Sequence, residues 1–185
     1  MTTQPSFESA FGNVLSTVPD EYFDRSRFVP ATGSFDAEAV LVGEAPGAQE
    51  VERGEPFVGN AGRRLDSALE EVGVDRDSLY ITNLVKVRPA NNRDPRRAEI
   101  DAWWPVLEAE LERVDPAVVA PLGNFATREL LSVDEGITDL HGRTFDRDGR
   151  TVVPVFHPAA TLYDQSKRAL LVEDLRTVAA EAGLG

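Results

Sequence analysis

The stretch Ala39–Gly59, AVLVGEAPGAQEVERGEPFVG, constrains the fold more than any other part of the chain. It opens with four apolar residues, Ala39–Val42, which are too few for a buried helix and therefore predict a buried strand. The turn Gly43–Gly47 contains two glycines and a proline, so the backbone there can bend sharply and approach a ligand closely. Glu44 places a carboxylate at the carboxyl end of this strand, which is the edge where open α/β sheets bind ligands.

Strand and helix patterns alternate along the rest of the chain, which favours a mostly parallel sheet with helices on both faces. Helices are predicted over Phe7–Val18, Asn60–Val72 with Asn60 as a possible N-cap, Arg96–Val114, Phe125–Leu131 and Arg168–Ala182. Further strands are predicted over Leu79–Thr82 and Ala117–Leu122, and in a hairpin with arms at 143–145 and 151–156. We expect one α/β domain over residues 1–185, with a weakly defined N-terminal segment at 1–32.

Composition excludes several kinds of site. The 185 residues are 42% hydrophobic, enough for a sizeable core. Cysteine is absent, which excludes disulfides, thiolate catalysis and cysteine-held iron–sulfur clusters, and with only two histidines we expect no metal site. The sequence has no run of ~18 apolar residues and no signal-peptide pattern at its start, so we expect a cytoplasmic protein without a membrane partner.

The charge of the chain is strongly acidic, with 32 acidic against 19 basic residues and a net charge of −13. Of the basic residues only Lys86 and Lys167 are lysines, a pattern typical of salt-adapted, halophilic proteins. Such a charge opposes nucleic-acid binding in dilute salt. In molar salt the Debye length falls to ~3 Å, so only local contacts count. On charge alone, an acidic protein that never meets DNA remains an open alternative.

Three predicted strands end on polar side chains, namely Glu44, Asn83 and His157. The carboxyl ends of parallel strands meet at one edge of a sheet, so a carboxylate, an amide and an imidazole can share a crevice. Each has a simpler interpretation, as a solvated turn carboxylate, a loop-capping amide or a strand-end histidine. The occurrence of all three side chains together favours a ligand-binding or catalytic site. The chain lacks the motifs of phosphate loops, dinucleotide sites and serine nucleophile elbows.

Six motifs together resemble the uracil-DNA glycosylase superfamily, and its family 4 most closely. They are Gly43–Gly47, Pro56–Gly62, Thr82-Asn83, Lys86–Pro89, Asn92–Pro95 and His157–Ala160. The resemblance covers roughly residues 33–178 in the right order. It implies a four-stranded, mainly parallel sheet between helices, and hydrolysis of the bond between uracil and deoxyribose after the base has left the duplex.

The resemblance also implies roles for individual residues. Glu44 and Glu50 would shape the pocket and orient the attacking water, while His157 would stabilise charge on uracil O2. Phe57 would stack on the flipped base, for which the alternative is an ordinary core phenylalanine, and Asn83 would read the pyrimidine edge. Two further substrate-binding positions are Gly43 and Ala45.

For DNA binding, the resemblance and the local sequence indicate residues around the crevice. They are Pro46, Gly47, Asn60, Arg88, Asn92, Arg93, Pro158, Ala159, Leu162 and Arg168. Leu162 would insert into the space that the flipped base leaves, unless it is a partly buried loop leucine. The expected partner is uracil-containing DNA, single- or double-stranded, bound by a monomer. The alternative is a silent member of the superfamily that binds DNA or nucleotides without cleavage.

One departure from family 4 is large. Members of that family hold an iron–sulfur cluster with four cysteines, whereas this chain has none, and Val87 and Trp103 occupy two of the cysteine positions. We therefore expect no cofactor, and apolar packing by Val87 and Trp103 in place of the cluster.

Overall fold

The computed structural model describes residues 3–185; residues 1 and 2, which begin the N-terminal segment, lie outside it. Its strands are β1 Thr32–Gly33, β2 Ala39–Gly43, β3 Tyr80–Asn83, β4 Val118–Pro121, β5 Phe145–Arg147 and β6 Arg150–Val152. They form one sheet in the order β1-β3-β2-β4-β6-β5. The inner four strands are parallel, and β1 and β5 pair antiparallel at the two edges. The α/β class with a mainly parallel sheet is confirmed, but the sheet has six strands rather than four because both edges gain a short strand.

Helices cover both faces of this sheet. They are α1 Phe7–Leu15, α2 Ala48–Arg53, α3 Asn60–Val72, α4 Arg97–Val114, α5 Gly123–Leu131, α6 Ile137–Leu140, α7 Ala160–Tyr163 and α8 Ser166–Ala182. Side chains alternate between faces along a strand, so Val40 and Val42 of β2 pack with α1 and α4, whereas Ala39 and Leu41 pack with α3 and α8. Burial on both faces explains the unbroken apolar run of β2. Within residues 3–185 no helix is long and apolar enough to cross a membrane.

Several boundaries differ from the sequence prediction: α5 and α8 begin two residues earlier than predicted, α1 ends at Leu15 instead of Val18, and the first hairpin arm, predicted at 143–145, is β5 at Phe145–Arg147. Asn60 is the first residue of α3 rather than its N-cap, which is Gly59, and the Asn60 side chain accepts a hydrogen bond from Arg63 instead. The second arm of the hairpin ends as a regular strand at Val152, although Val153 and Val155 still donate backbone hydrogen bonds to β4. Gly123 in turn donates to the Val155 carbonyl at 2.8 Å, so the pairing continues past Pro154 toward the candidate site.

Val87 and Trp103 lie in apolar packing, as expected. Trp103 is fully buried, and its indole N–H donates to the carbonyl of Tyr22 at 3.1 Å. Its ring contacts Phe23, with centroids 5.0 Å apart, and stacks against Phe28 at 6.1 Å. Phe28 in turn forms a backbone bridge with Val87. These residues do not fit an iron–sulfur cluster, because they are packed apolar side chains and the chain has no thiolate to bind iron.

Candidate active site

A cavity of about 340 Å³ opens at the carboxyl ends of the parallel strands. It is lined by Glu44, Ala45, Gly47, Glu50, Phe57, Ala61, Asn83, Asn92, His157 and Ala159. All the residues predicted to catalyse or to bind the base lie here or, in the case of Gly43, directly beneath. The topology explains this: β2 leads into Glu44, β3 ends at Asn83, and the chain beyond β6 reaches His157. Phe57 comes from the connection between α2 and α3.

The amide of Asn83 and the ring of Phe57 meet over Gly43. Asn83 is only 4% exposed and Phe57 6%. A Cβ atom on Gly43 would lie 2.4 Å from Asn83 Oδ1 and 2.7 Å from the phenyl ring, closer than such atoms can approach. Glycine at the end of β2 is therefore what lets the amide and the ring sit side by side.

Phe57 has a strained backbone that neighbouring residues hold in place. Its φ of 52° lies in the left-handed region, which bulky side chains rarely adopt and which costs of order 1–3 kcal/mol. Arg76 donates to the carbonyls of Phe57 at 2.9 Å and Pro56 at 2.7 Å. Gly62 of α3 passes so close that a Cβ there would lie 1.9 Å from the Phe57 oxygen. The ring is thus a fixed wall of the cavity.

His157 is set up as a neutral hydrogen-bond donor. Its Nδ1 accepts the backbone N–H of Ala159 at 3.1 Å, so in the neutral ring the proton resides on Nε2. Burial lowers the pKa of His157 to about 4, which keeps the ring uncharged at neutral pH. The ring also faces that of Phe57, with centroids 5.8 Å apart. An uncharged imidazole here can donate to a developing anion without carrying a charge beforehand.

Glu44 shares its surroundings with a second carboxyl group, that of Asp94. Burial, followed by a hydrogen bond and charge repulsion from Asp94, raises the pKa of Glu44 to about 7. Both residues also line an adjoining cavity of about 450 Å³, which meets the first one at Glu44 and His157. Near neutral pH Glu44 therefore exchanges its proton readily. Asp94 was missed from the sequence because the resemblance leaves this position of the Asn92–Pro95 motif unspecified.

The predicted DNA contacts divide by exposure. Asn60 and Asn92 are exposed, and half-buried positions are Gly47, Arg88, Arg93, Ala159, Leu162 and Arg168. Pro46 and Pro158 are instead buried. Pro46 is enclosed in the turn that leads into α2, and the carbonyl of Pro158 accepts the Thr161 hydroxyl at 2.7 Å inside the turn that leads into α7. Pro46 and Pro158 therefore shape turns and are not part of the exposed surface.

The three predicted DNA-binding arginines already have partners. Arg93 donates to both oxygens of Glu99, at 2.7 and 2.8 Å. Arg168 forms an ion pair with Glu71, and Arg88 donates to the Asn92 side chain at 3.1 Å. Contact with a phosphate would require each arginine to exchange or share its present acceptor.

Beside Leu162 lies a residue that sequence reasoning missed. Tyr163 is the last residue of α7 and is 92% exposed, whereas Leu162 is half-buried. An aromatic residue directly after the expected wedge was the available signal. An exposed ring at this place offers a stacking surface for a base.

The chain is similar to several known proteins over most of its length. The family model described as "Uracil DNA glycosylase superfamily" matches residues 30–178. The chain is 38% identical to the type-4 uracil-DNA glycosylase of Sulfurisphaera tokodaii, over 83% of this chain and 74% of that protein. It is 40% identical to the type-4 enzyme of Saccharolobus solfataricus, over 83% and 76% of the two chains. A type-5 uracil-DNA glycosylase from Pyrobaculum aerophilum is 34% identical over 85% and 77%.

Proposed function

The chain belongs to the uracil-DNA glycosylase superfamily, and from this premise we propose that it hydrolyses the N-glycosidic bond of uracil in DNA and leaves an abasic site. The observation that carries the proposal is the convergence of Asn83, Phe57, His157 and Glu44 on one cavity. The cavity supplies an amide, an aromatic wall, a neutral imidazole and a carboxylate, which is the set of groups that the reaction needs.

Base recognition would rest on Asn83 and Phe57. A uracil that has left the base stack lies against the Phe57 ring, and the amide of Asn83 bonds its edge. Because an amide has both a donor and an acceptor, it can donate to uracil O4 and accept from N3–H at once. Cytosine presents the opposite pattern at these positions. A buried amide left unpaired by the wrong base discriminates strongly, which would protect cytosine from excision.

The chemical step would rest on His157, Glu44 and Glu50. As the bond between the sugar C1′ and uracil N1 breaks, its electron pair leaves with the base and positive charge develops on the sugar. The Nε2–H of His157 donates to uracil O2 and stabilises the anion. A water held by the carboxylates adds to C1′, and its proton passes to a carboxylate. Glu50 supports this role because it lines the same cavity as Glu44, with its Oε2 close to Gly47.

We further propose that the protein works as a monomer on cytoplasmic DNA, in high salt and without a cofactor. The absence of any cysteine supports the last point, since no thiolate exists to hold iron. Purified protein should be colourless and should contain no stoichiometric iron by elemental analysis. Light scattering in molar salt would measure the mass of the particle against the 20.2 kDa of one chain.

The experiment is a cleavage assay on matched oligonucleotides that carry one uracil or one cytosine, single- and double-stranded, across salt concentrations. We expect uracil excision by the wild type, and for Asn83→Asp slower uracil excision with cytosine excision above the wild-type background. Asn13→Asp is the matched control, because Asn13 is exposed on α1. Binding of uracil DNA without any excision would replace the proposal with the silent superfamily member.

A further inference from the structure

Two charged side chains are sealed in the core beneath Asn83, and the proposed reaction does not use them. Lys86 and Glu110 are each 0% exposed, and Lys86 Nζ lies 2.6 Å from Glu110 Oε2. Lys86 lies three residues beyond the end of β3, and Glu110 lies on α4. Lys86 is one of only two lysines in the chain, so its burial in an otherwise apolar layer calls for a physical reason.

The contacts of this pair all lead to β3. Glu110 Oε1 accepts from the Thr82 hydroxyl at 2.7 Å and from the Tyr80 hydroxyl at 3.1 Å. The Lys86 ammonium donates to the main-chain carbonyl of Asn83 at 2.7 Å. Because side chains alternate along a strand, Tyr80 and Thr82 face α4, whereas the amide of Asn83 lies on the other side, against Gly43 and Phe57. The pair thus holds the Asn83 backbone from the face of the sheet opposite to the Asn83 amide.

The Lys86 ammonium closes a turn over Asn83–Lys86, and this turn is also hydrogen-bonded to the loop that contains Glu44. After Asn83, the backbone N–H of Leu84 donates to the Gly43 carbonyl at 2.9 Å, and that of Val85 donates to the Glu44 carbonyl at 3.1 Å. The bond from Lys86 to Asn83 spans the same residues. One buried donor therefore holds the same turn whose backbone N–H groups bond to the start of the Glu44 loop.

Stability alone is a weak reason for such a pair. Buried ion pairs are often replaced by apolar residues with little loss or even a gain, since desolvation of two charges offsets their attraction. What an apolar pair cannot supply is a donor aimed at a main-chain carbonyl. The geometry points to this bond as the function of the pair.

We propose that Lys86 and Glu110 are positioning residues for base reading: Glu110 holds the Lys86 ammonium, and the ammonium holds the backbone of Asn83 so that its amide meets the pyrimidine edge. This inference rests on the proposed function. A shift of about 1 Å in a positioning group can cost on the order of 10²-fold in rate, so the effect should be measurable.

The main test is the double variant Lys86→Met/Glu110→Leu, which removes both charges and keeps similar volume. With a cooperative melt intact, we expect it to excise uracil about 10²-fold more slowly in single-turnover assays. It should also discriminate less between uracil and cytosine. Leu175→Ala is the control, because it opens a cavity in the buried face of α8 and should leave this selectivity unchanged. Should the double variant fail to fold, Lys86→Met/Glu110→Gln also leaves no buried charge and keeps an acceptor for the Tyr80 and Thr82 hydroxyls, and the same loss of rate and selectivity is expected.

A crystal structure of the same variant provides a readout that does not depend on activity. We expect the Asn83 amide to move relative to Phe57 and Gly43. An unmoved amide, or a folded double variant with wild-type rate and selectivity, overturns the inference. A wild type that excises no uracil overturns the proposed function instead, and the position of the amide in the variant structure then still decides whether the pair positions Asn83.

Discussion

Two buried carboxylates, those of Glu110 and Asp174, support the backbone of the candidate site, and they differ in their partners. Glu110, under Asn83, pairs with Lys86, and both side chains are fully sealed from solvent. Asp174, under His157, accepts the backbone N–H of Phe156 at 3.0 Å and lies 2.8 Å from His141 Nδ1. Asp174 is 1% exposed, but the side chain of His141 is 24% exposed.

This difference separates two ways of supporting a functional side chain. Burial raises the pKa of both carboxyl groups, and the hydrogen bonds and charges of their partners oppose that rise. The partner of Glu110 cannot be replaced by water, whereas that of Asp174 lies next to solvent. Asp174 also bonds directly to the residue before His157, while Glu110 reaches Asn83 through Lys86. We therefore expect the support of Asn83 to fail abruptly when one member is removed, and the support of His157 to fail gradually.

The largest effect is expected for Lys86→Met alone. It leaves Glu110 as an uncompensated buried charge, which should lower the free energy of unfolding by ~3–5 kcal/mol. Addition of Glu110→Gln should recover most of this loss, because no charge then remains buried and the Tyr80 and Thr82 hydroxyls keep an acceptor. Chemical denaturation in constant high salt measures both variants. A double variant as unstable as the single one would mean that the pair itself, rather than the orphaned charge, stabilises the fold.

A smaller loss is expected for Asp174→Ala. The backbone N–H of Phe156 loses its acceptor in a buried place, which should cost ~1–3 kcal/mol, and the adjoining His157 should shift and slow uracil excision. His141→Ala should cost less, because the solvent beside His141 can serve Asp174 in its place. A loss for Asp174→Ala as large as that for Lys86→Met would contradict the distinction between the two supports.

These supports mark the limit of what the sequence could predict. Strand ends at Glu44, Asn83 and His157 follow from apolar runs that stop at polar residues, and a parallel sheet then brings them together. The residues that support the site come from distant elements. Glu110, for example, lies in the middle of the amphipathic helix α4, where a glutamate ordinarily faces water. Nothing in helical periodicity indicates that this one is buried against a lysine. Contacts of this kind depend on how the layers pack.

The loop side of the site shows the same limit. Phe57 could be identified by resemblance. Its left-handed backbone and the hydrogen bond from Arg76 to its carbonyl could not be predicted, because no turn signal indicates a φ above zero for phenylalanine. The three short helices α2, α6 and α7 were also missed, because four to six residues are too few to show a periodicity.

A milder effect concerns pH. The pKa of Glu44 is raised to about 7 by burial and by Asp94, and the ionised form is the one that stabilises a sugar cation. Uracil excision should therefore rise as pH increases through about 7, by roughly tenfold from one pH unit below to the plateau. His157, with its pKa lowered to about 4, should add no second limb above pH 5.

Asp94→Asn sharpens this prediction, because it removes the repulsion and should move the rise in rate to lower pH. Asp101→Asn is the matched control, since Asp101 is exposed on α4. Single-turnover rates across the pH range measure both. A profile that Asp94→Asn leaves unmoved would assign the limb to a group other than Glu44.

The smallest effect is expected for Tyr80→Phe, which separates the ion pair from the network around it. The change removes the 3.1 Å bond from the Tyr80 hydroxyl to Glu110 but leaves the bond from Thr82 at 2.7 Å and that from Lys86 to Asn83. The loss in unfolding free energy should be ~0.5–1.5 kcal/mol, the usual value of one hydrogen bond. Excision rate and selectivity should stay within about twofold of the wild type, because the Asn83 carbonyl keeps its donor and the amide keeps its place. A variant that melts normally but no longer distinguishes uracil from cytosine would show that general rigidity of the network, and not the single bond from Lys86, orients Asn83.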